Sequence, residues 1–293
     1  MIAKKPEEWL KVSKNGLFVV PGNFFVDPNT ASDMAVITHA HADHARSGHK
    51  RVISTPETLA IMKVRFGEAF SPSPYGLKYG KKLKINDVII WLAPAGHVLG
   101  SAQIVIEYKG SRVVVSGDYK RQADSTCRPF EVVNCDVFIT EATFGLPVFK
   151  HPKAQIEIKK LLNSIDLFNN RSHVVGTYAL GKAQRVISLL RESGYHQPIF
   201  IHGALRKLCD LYMDHGIDLG ELRPVPDPRK KPGVLDLEGQ IVLAPPSAIA
   251  DRWVRKLGNP VIVMASGWMR IKQRARQRNV DLPLVISDHA DWD

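Results

Sequence analysis

In the first half of the chain, short apolar runs are separated by Gly, Pro, Asn and Asp. This is the pattern of β-strands bounded by turns. The predicted strands are Phe18–Val20, Phe24–Val26, Met34–Ile37, Val88–Leu92, Gln103–Tyr108 and Arg112–Val115. A helix is predicted to begin at Pro56, because Thr55 is a suitable N-cap and proline is favoured at the first helical position.

Near residue 150 the pattern changes, and strand-like runs begin to alternate with amphipathic helical segments. Val174-Val175 precedes a helical segment over 183–190, and the run Pro198–Ile201 precedes another that contains Leu205. Strand–helix alternation implies parallel pairing, so a doubly wound α/β module is expected here. Between its halves, Arg223 to Gly233 is rich in proline and charge and is predicted to be an exposed loop.

Composition restricts the class of protein. With 293 residues and 44% apolar content, the chain can bury a large core in one or two domains. It has no apolar run of about 20 residues that would span a membrane, and its N-terminus lacks the apolar core of a signal peptide. The three cysteines are scattered and form no C-x-x-C pair, which favours a reducing compartment. We therefore expect a cytoplasmic protein that does not insert into a membrane.

The net charge of +11 is large for a chain of this length. Charge of this size bears on binding partners rather than on fold. A polyanion such as nucleic acid is the leading candidate partner, and an anionic membrane surface is the weaker one. Charge alone does not decide between them, so the choice depends on the residues that carry chemistry.

The run His39-Ala40-His41-Ala42-Asp43-His44 directly follows a predicted strand. In an extended segment, side chains two positions apart point the same way, so His39 and His41 can bind one metal ion. Asp43 and His44 come after the chain turns and can face a second ion. Imidazole suits zinc, and a carboxylate ligand also admits manganese. The alternative is a polar loop that enters a helix, with Asp43 near its first turn.

Candidate ligands recur beyond later predicted strands. His97 lies in a turn flanked by glycines, which let the backbone approach a ligand closely. Asp118 follows the apolar run that ends at Val115, where a carboxylate could bridge two ions. His289 follows an apolar run near the end of the sequence. Taken singly, His97 is also compatible with an ordinary turn and Asp118 with a helix cap, but together with the histidine run they indicate a metal site.

The order Asp27, histidine run, His97 and Asp118 resembles the metallo-β-lactamase fold. Further motifs narrow the resemblance to the β-CASP nucleases, most of all to the bacterial ligase-associated DNA exonucleases, over nearly the whole chain. These motifs are Thr140–Gly145, similar to a Glu-Ser-Thr-Tyr-Gly stretch; Tyr178–Arg185, similar to the Gly-(Lys/Arg)-Ala-Gln signature of the inserted domain; Phe200–Leu205; Ala265–Arg270; and Ser287–Asp291, similar to the last histidine motif.

The resemblance implies an α/β fold: a metallo-β-lactamase αββα sandwich with an inserted β-CASP-type α/β domain. Residues 1–148 would form the first part of the metallo-β-lactamase domain, and residues 149–259 would form the inserted domain. Residues 260–293 would return to the first domain, which family members continue further.

The resemblance also implies roles for the candidate residues in a site with two divalent metal ions, zinc being expected and manganese the alternative. One ion would be held by His39, His41 and His97, and the other by Asp43, His44 and His289, with Asp118 bridging. Asp27 would orient a ligand histidine without touching a metal. Asp43, Asp118 and Glu141 would be the catalytic carboxylates.

Two segments are expected to contact substrate. The amides of Gly181 and Lys182, together with the Lys182 ammonium, suit a phosphate at a predicted helix start, although an ordinary exposed helix entry has the same pattern. Arg270, Arg274 and Arg276 belong to a basic run that could follow a nucleic-acid backbone. Charge runs of this kind also occur on solvated faces.

Together these expectations describe a two-metal phosphodiester hydrolase, namely a DNA exonuclease linked to DNA repair, with a DNA ligase and a helicase as functional partners. RNA-cleaving members of the family carry a histidine in the interval corresponding to Trp268–Val280, and this chain has none there. RNA processing is therefore the less favoured alternative. A small-molecule metallohydrolase of the same fold and a non-catalytic nucleic-acid-binding subunit are the others.

Overall fold

The structure is a computed structural model, and it describes residues 4–226 and 236–293. The chain folds into two compact units, Met1–Thr143 and Phe144–Asp293. Of the loop predicted over Arg223 to Gly233, the first two residues belong to an edge strand, and residues 227–233 lie outside the described residues. Among the described helices, none is both long enough and apolar enough to cross a membrane.

The first unit is built on two sheets. One sheet has six strands in chain order, antiparallel from β1 to β3 and parallel from β3 to β6. Its strands are β1 Leu10–Ser13, β2 Gly16–Val19, β3 Phe24–Val26, β4 Met34–Val36, β5 Arg51–Ser54 and β6 Ser73–Gly76. The other sheet has the order β11-β10-β9-β8-β7 and is antiparallel except for the parallel pair β10 and β11. Its strands are β7 Leu83–Ile85, β8 Val88–Pro94, β9 Ala102–Tyr108, β10 Ser111–Val115 and β11 Val137–Ile139.

The two sheets of the first unit share one hydrophobic core. Phe24, Val36 and Ile53 of the first sheet lie in the same buried cluster as Ile90 and Ile104 of the second. Each is fully buried, which stabilises the fold by about 1.5–3 kcal/mol per side chain of this size. The alternating apolar runs in the sequence therefore form the inner faces of a β-sandwich.

Helix α1, Pro56–Phe66, begins where the sequence predicts it. The side chain of Thr55 accepts a hydrogen bond from the amide of Thr58 at 3.1 Å, and proline occupies the first helical position. Two short 3₁₀ helices, Pro6–Glu8 and Val20–Gly22, complete the helical content of the described part of this unit.

The second unit is a parallel α/β sheet, as the sequence predicts. Its strand order is β14-β13-β15-β12-β16-β17, and every neighbouring pair is parallel. The strands are β12 His173–Gly176, β13 Ile199–Ile201, β14 Leu222–Pro224, β15 Ile241–Ala244, β16 Val261–Ala265 and β17 Leu282–Leu284. The helices are α2 Ala154–Leu167, α3 Lys182–Glu192, α4 Gly203–Asp214, α5 Pro246–Ile249, α6 Arg252–Arg255 and α7 Lys272–Gln277, with 3₁₀ helices at Pro147–Phe149 and Gly267–Arg270.

The segment 260–293 differs from the sequence-based expectation. It was expected to return to the first domain at residue 260, but β16 pairs with β12 and β17 pairs with β16, so both strands extend the sheet of the second unit. The apolar run Val261–Ala265 is compatible with either sheet, and only tertiary pairing decides between them. The boundary between the two units follows Thr143, five residues before the predicted one.

Candidate metal centre

In the first unit, the candidate metal-binding residues lie just beyond the carboxyl ends of strands. β3 and β4 are parallel neighbours, and so are β10 and β11, so their carboxyl ends meet at one edge of each sheet. The strand-end residues are Asp27 after β3, His39 after β4, His97 after β8, Asp118 after β10 and Glu141 after β11.

Four of these side chains form one tight cluster. Ligand atoms of His39, His41, His97 and Asp118 all lie within 4.8 Å of one another. Nδ1 of His41 is 3.1 Å from Nε2 of His39 and 3.0 Å from Nε2 of His97. His39 and His97 are almost completely buried, so the nitrogens face one another away from solvent.

The carboxylate of Asp118 faces two groups of imidazoles. Its Oδ2 lies 3.5 Å from Nε2 of His39 and 3.7 Å from Nε2 of His97. Its Oδ1 lies 3.4 Å from Nε2 of His44. One oxygen thus belongs to the His39–His97 side and the other to the His44 side.

Asp27 contacts His44 on the side of the ring opposite Asp118. Nδ1 of His44 lies 2.7 Å from Oδ2 of Asp27, and that carboxylate also accepts hydrogen bonds from the amide of Thr38 at 2.8 Å and from its hydroxyl at 2.5 Å. Burial disfavours the charged imidazole, but the hydrogen bonds to Asp118 and Asp27 outweigh burial and raise the pKa of His44 to about 11. The surroundings of this ring therefore favour positive charge.

Asp43 and Glu141 lie at the margin of the cluster. Asp43 has a side chain that is 79% exposed, and its Oδ2 is 3.9 Å from Nε2 of His44. Glu141 accepts a hydrogen bond from the amide of Tyr119 at 2.9 Å, and a carboxylate oxygen of Glu141 lies within 4.8 Å of one of Asp118. Glu141 therefore supports the loop that carries Asp118.

Two contacts that the sequence did not predict hold the segments that carry the candidate ligands after β4 and β10. A Cβ on Gly117 would lie 2.6 Å from Cβ of Thr38, and Gly117 has a φ of +55°, so only glycine allows the loops after β4 and β10 to pack this closely. The guanidinium of Arg65 on α1 donates a hydrogen bond to the carbonyl of Ala40. Neither contact leaves a local sequence signal, because each joins segments that are distant along the chain.

The sequence-predicted phosphate contacts at Gly181 and Lys182 have other partners in the second unit. The amide of Gly181 donates to Oε1 of Gln184 at 2.8 Å, and the amide of Lys182 donates to the carbonyl of Leu180 at 3.1 Å. The ammonium of Lys182 is buried and donates to Oδ1 of Asp288 at 2.5 Å. These groups are therefore engaged within the fold, and their contact with a substrate phosphate stays a prediction.

The other candidate residues of the second unit are more accessible. His289 lies in the turn after β17, where its amide donates to Oγ of Ser287 at 3.0 Å. Arg270, Arg274 and Arg276 are exposed. Arg270 donates to the carbonyl of Val148 at 3.2 Å, and the guanidinium carbon of Arg274 lies 4.1 Å from the centre of the Trp268 ring system.

Comparison with known proteins identifies the family. No family model matches the chain. The chain is 32% identical over 147 residues to an uncharacterized protein in the lig 3′ region of Acidianus ambivalens, a match that covers 48% of this chain and 99% of that protein. It is 31% identical over 240 residues to endoribonuclease YSH1 of Gibberella zeae, covering 67% of this chain. The chain belongs to the β-CASP family of metallo-β-lactamase nucleases.

Several relatives within the β-CASP family are much longer than this chain. A probable DNA ligase of Opitutus terrae is 25% identical over 292 residues, which is 97% of this chain and 27% of that protein. The YSH1 match likewise covers 28% of the endoribonuclease. A crystal structure of a protein of unknown function from Enterococcus faecalis shares the fold, with a TM-score of 0.56 at 12% identity over 88% of this chain and 70% of that one.

The donor set of this β-CASP family member fits a divalent metal ion. Ligands at 2.0–2.1 Å from a tetrahedral zinc ion lie about 3.3 Å apart. Four of the six separations among His39, His41, His97 and Asp118 run from 3.0 to 3.7 Å and bracket that value, and all six lie within 4.8 Å. Neutral imidazoles and a carboxylate are also the ligand types that borderline divalent metals prefer.

Proposed function

We propose that the chain is a metal-dependent phosphodiesterase that hydrolyses nucleic acid, and that DNA is its preferred substrate. The observation that carries the proposal is the position of Asp118, whose Oδ2 faces His39 and His97 while its Oδ1 faces His44. A carboxylate shared in this way suits a site with two cations. Membership of a nuclease family and the charge of +11 support a polyanionic substrate.

We assign one ion to His39, His41 and His97 and the other to Asp43, His44 and His289, with Asp118 between them. Zinc is the first candidate, because histidine dominates the ligands, and manganese is the second. When bound, the ions would supply Lewis-acid activation of water and charge stabilisation at the scissile phosphate. Asp27 fixes the ring nitrogen that His44 presents, and the exposed Asp43 lies on the side open to solvent.

The fold assignment is part of the same proposal. The first unit, with its two-sheet sandwich, would be the metallo-β-lactamase domain, and the parallel sheet of the second unit would be the inserted β-CASP domain. Asp43, Asp118 and Glu141 would act as the catalytic carboxylates. The protein would work in the cytoplasm with a DNA ligase and a helicase as functional partners.

DNA is favoured over RNA for two reasons. The match to the probable DNA ligase of Opitutus terrae covers 97% of this chain, whereas the match to endoribonuclease YSH1 covers 67%. The interval Trp268–Val280 also contains no histidine, unlike the RNA-cleaving members that the sequence resembles. Endonucleolytic cleavage of RNA is the second candidate. Over the aligned residues the chain is 31% identical to endoribonuclease YSH1 of Gibberella zeae but 25% identical to the probable DNA ligase.

Digestion of end-labelled single- and double-stranded DNA, and of RNA with the same sequence, tests the proposal. Each reaction is run with zinc, with manganese and with chelator. We expect stepwise shortening of DNA that requires metal and is abolished in His41→Ala. His196→Ala is the matched control, because His196 is exposed in the second unit and has no assigned role. Activity in His41→Ala equal to wild type, or no cleavage of either nucleic acid with any metal, would refute the assignment.

A further inference from the structure

The sheet of the second unit has a topological switch point between β12 and β16. These strands are parallel neighbours. The chain leaves β12 for β13 on one side of the sheet order and leaves β16 for β17 on the other. Connections that depart in opposite directions open a crevice outside the carboxyl ends of the two strands, and such crevices are where ligands bind in open α/β sheets.

A pocket with aromatic and basic side chains lies at this place. It is lined by residues that follow β12, β15 and β16, among them Tyr178, Pro246, Trp268, Arg274 and Arg278. Tyr178 lies two residues after the end of β12, and it is 56% exposed. A tyrosine that is so exposed beside a pocket offers a ring face to whatever enters it.

The ring system of Trp268 is held in place at one side of the pocket. Its ring system packs against Phe144 at 5.0 Å and Phe149 at 5.2 Å between ring centres. Its amide donates to Oγ of Ser266 at 3.3 Å. The guanidinium carbon of Arg274 lies 4.1 Å from the centre of the ring system. The planar guanidinium therefore already covers part of the Trp268 ring.

The pocket lies in a strongly basic segment. Arg270, Lys272, Arg274, Arg276 and Arg278 fall between Met269 and Val280 with no acidic residue among them. Within residues 4–226 and 236–293, no ion pair is formed by Lys272, Arg274, Arg276 or Arg278. A phosphate beside the pocket would therefore meet cations that form no ion pair with a carboxylate in the described part of the chain.

We propose that this pocket binds one unpaired nucleobase of the substrate strand. The base stacks against Tyr178 and the Trp268–Arg274 pair, and Arg278 binds the adjoining phosphate. Aromatic rings and guanidinium planes stack on any base, since every base has a π-face. A paired base inside a duplex cannot enter, so the pocket selects single strands. The identity of the occupant rests on the proposed function, because it supposes a nucleic-acid substrate.

Binding without catalysis tests the proposal. The probe is a fluorescently labelled oligothymidylate, titrated with the full chain in the presence of chelator. We expect Tyr178→Ala to weaken binding about 5- to 150-fold, the usual effect of losing one stacked base. Tyr178→Phe should bind like wild type, because the ring is retained. Tyr75→Ala is the matched control, since Tyr75 is an exposed tyrosine on β6 of the first unit.

Two further arms separate stacking from charge. An abasic version of the oligonucleotide should bind more weakly to wild type and should show little further loss with Tyr178→Ala. Arg278→Gln should weaken both oligonucleotides and lower the salt dependence by about one charge. Wild-type affinity in Tyr178→Ala, equal loss for normal and abasic strands, or no binding by the wild-type chain would each overturn the proposed pocket.

The same variants distinguish failure of the pocket from failure of the proposed function. If the wild-type chain cleaves no nucleic acid with any metal but Tyr178→Ala still loses binding, the pocket stands and the catalytic assignment fails. If the wild-type chain digests DNA while Tyr178→Ala binds and digests normally, the catalytic assignment stands and the pocket fails.

Discussion

Nδ1 of His44 lies 2.7 Å from Oδ2 of Asp27, and this contact determines that Nε2 of the same ring faces Asp118. A histidine ligand needs one nitrogen free of its proton and directed at the metal, and a carboxylate behind the ring supplies that arrangement. We therefore assign Asp27 to the proposed metal centre, although it lies outside the ligand cluster.

Asp27→Asn should lower metal affinity by about 10- to 100-fold. The amide keeps the shape of the side chain but no longer holds the imidazole with a negative charge. Metal content after gel filtration and a titration with zinc measure the effect. Asp33→Asn is the control, because Asp33 forms an exposed ion pair with Lys50. Equal metal affinity in Asp27→Asn and wild type would contradict the role.

Lys182→Met should destabilise the second unit by about 3–5 kcal/mol. The change removes the ammonium that pairs with the buried carboxylate of Asp288, and removing one partner is the costly way to break a buried ion pair. Urea denaturation measures the loss. Lys150→Met, which removes an exposed pair with Asp293, should change the free energy of unfolding by about 1 kcal/mol or less. Similar losses of unfolding free energy in the two variants would show that burial of the Lys182–Asp288 pair does not affect stability.

Gly117→Ala should destabilise the first unit more than Gly80→Ala. Both glycines have positive φ, +55° and +71°, so both substitutions cost about 1–2 kcal/mol of backbone strain. Only at Gly117 does the new Cβ also meet Thr38, at 2.6 Å, whereas nothing lies within 4 Å at Gly80. The difference in melting temperature between the two variants isolates that contact. Equal melting temperatures would mean that Thr38 moves aside freely.

Stability should fall below neutral pH, in part because of His173. Burial lowers the pKa of this side chain, so the folded state favours the neutral ring. The stabilisation is present above the unfolded pKa of about 6.5 and is lost as pH falls below it. Urea denaturation at several pH values should show a smaller loss in His173→Gln than in wild type. His49 and His151 also have lowered pKa values and will retain part of the dependence. His196→Gln, at an exposed site, should match wild type; an unchanged pH profile in His173→Gln would argue against the assignment.

The sequence predicted correctly those elements that are specified by residues close together along the chain. Thr55 and Pro56 defined the start of α1, and the histidine run placed three rings after β4. Sequence patterns did not reveal the partners of Lys182, since Asp288 lies 106 positions away and becomes a neighbour only through folding. The pairing of β16 with β12 could not be predicted for the same reason, because an apolar run does not specify which sheet it joins.

Thr38 contacts segments of the candidate metal centre that follow different strands. Its amide and hydroxyl bind Asp27, its hydroxyl lies 3.1 Å from Nδ1 of His39, and its carbonyl accepts from the amide of Ala102. Its Cβ also limits how closely the loop of Asp118 can approach, through Gly117. The size of the Thr38 side chain thus limits how closely the segments after β4 and β10 approach each other, so a larger residue at position 38 would displace candidate ligands on both segments.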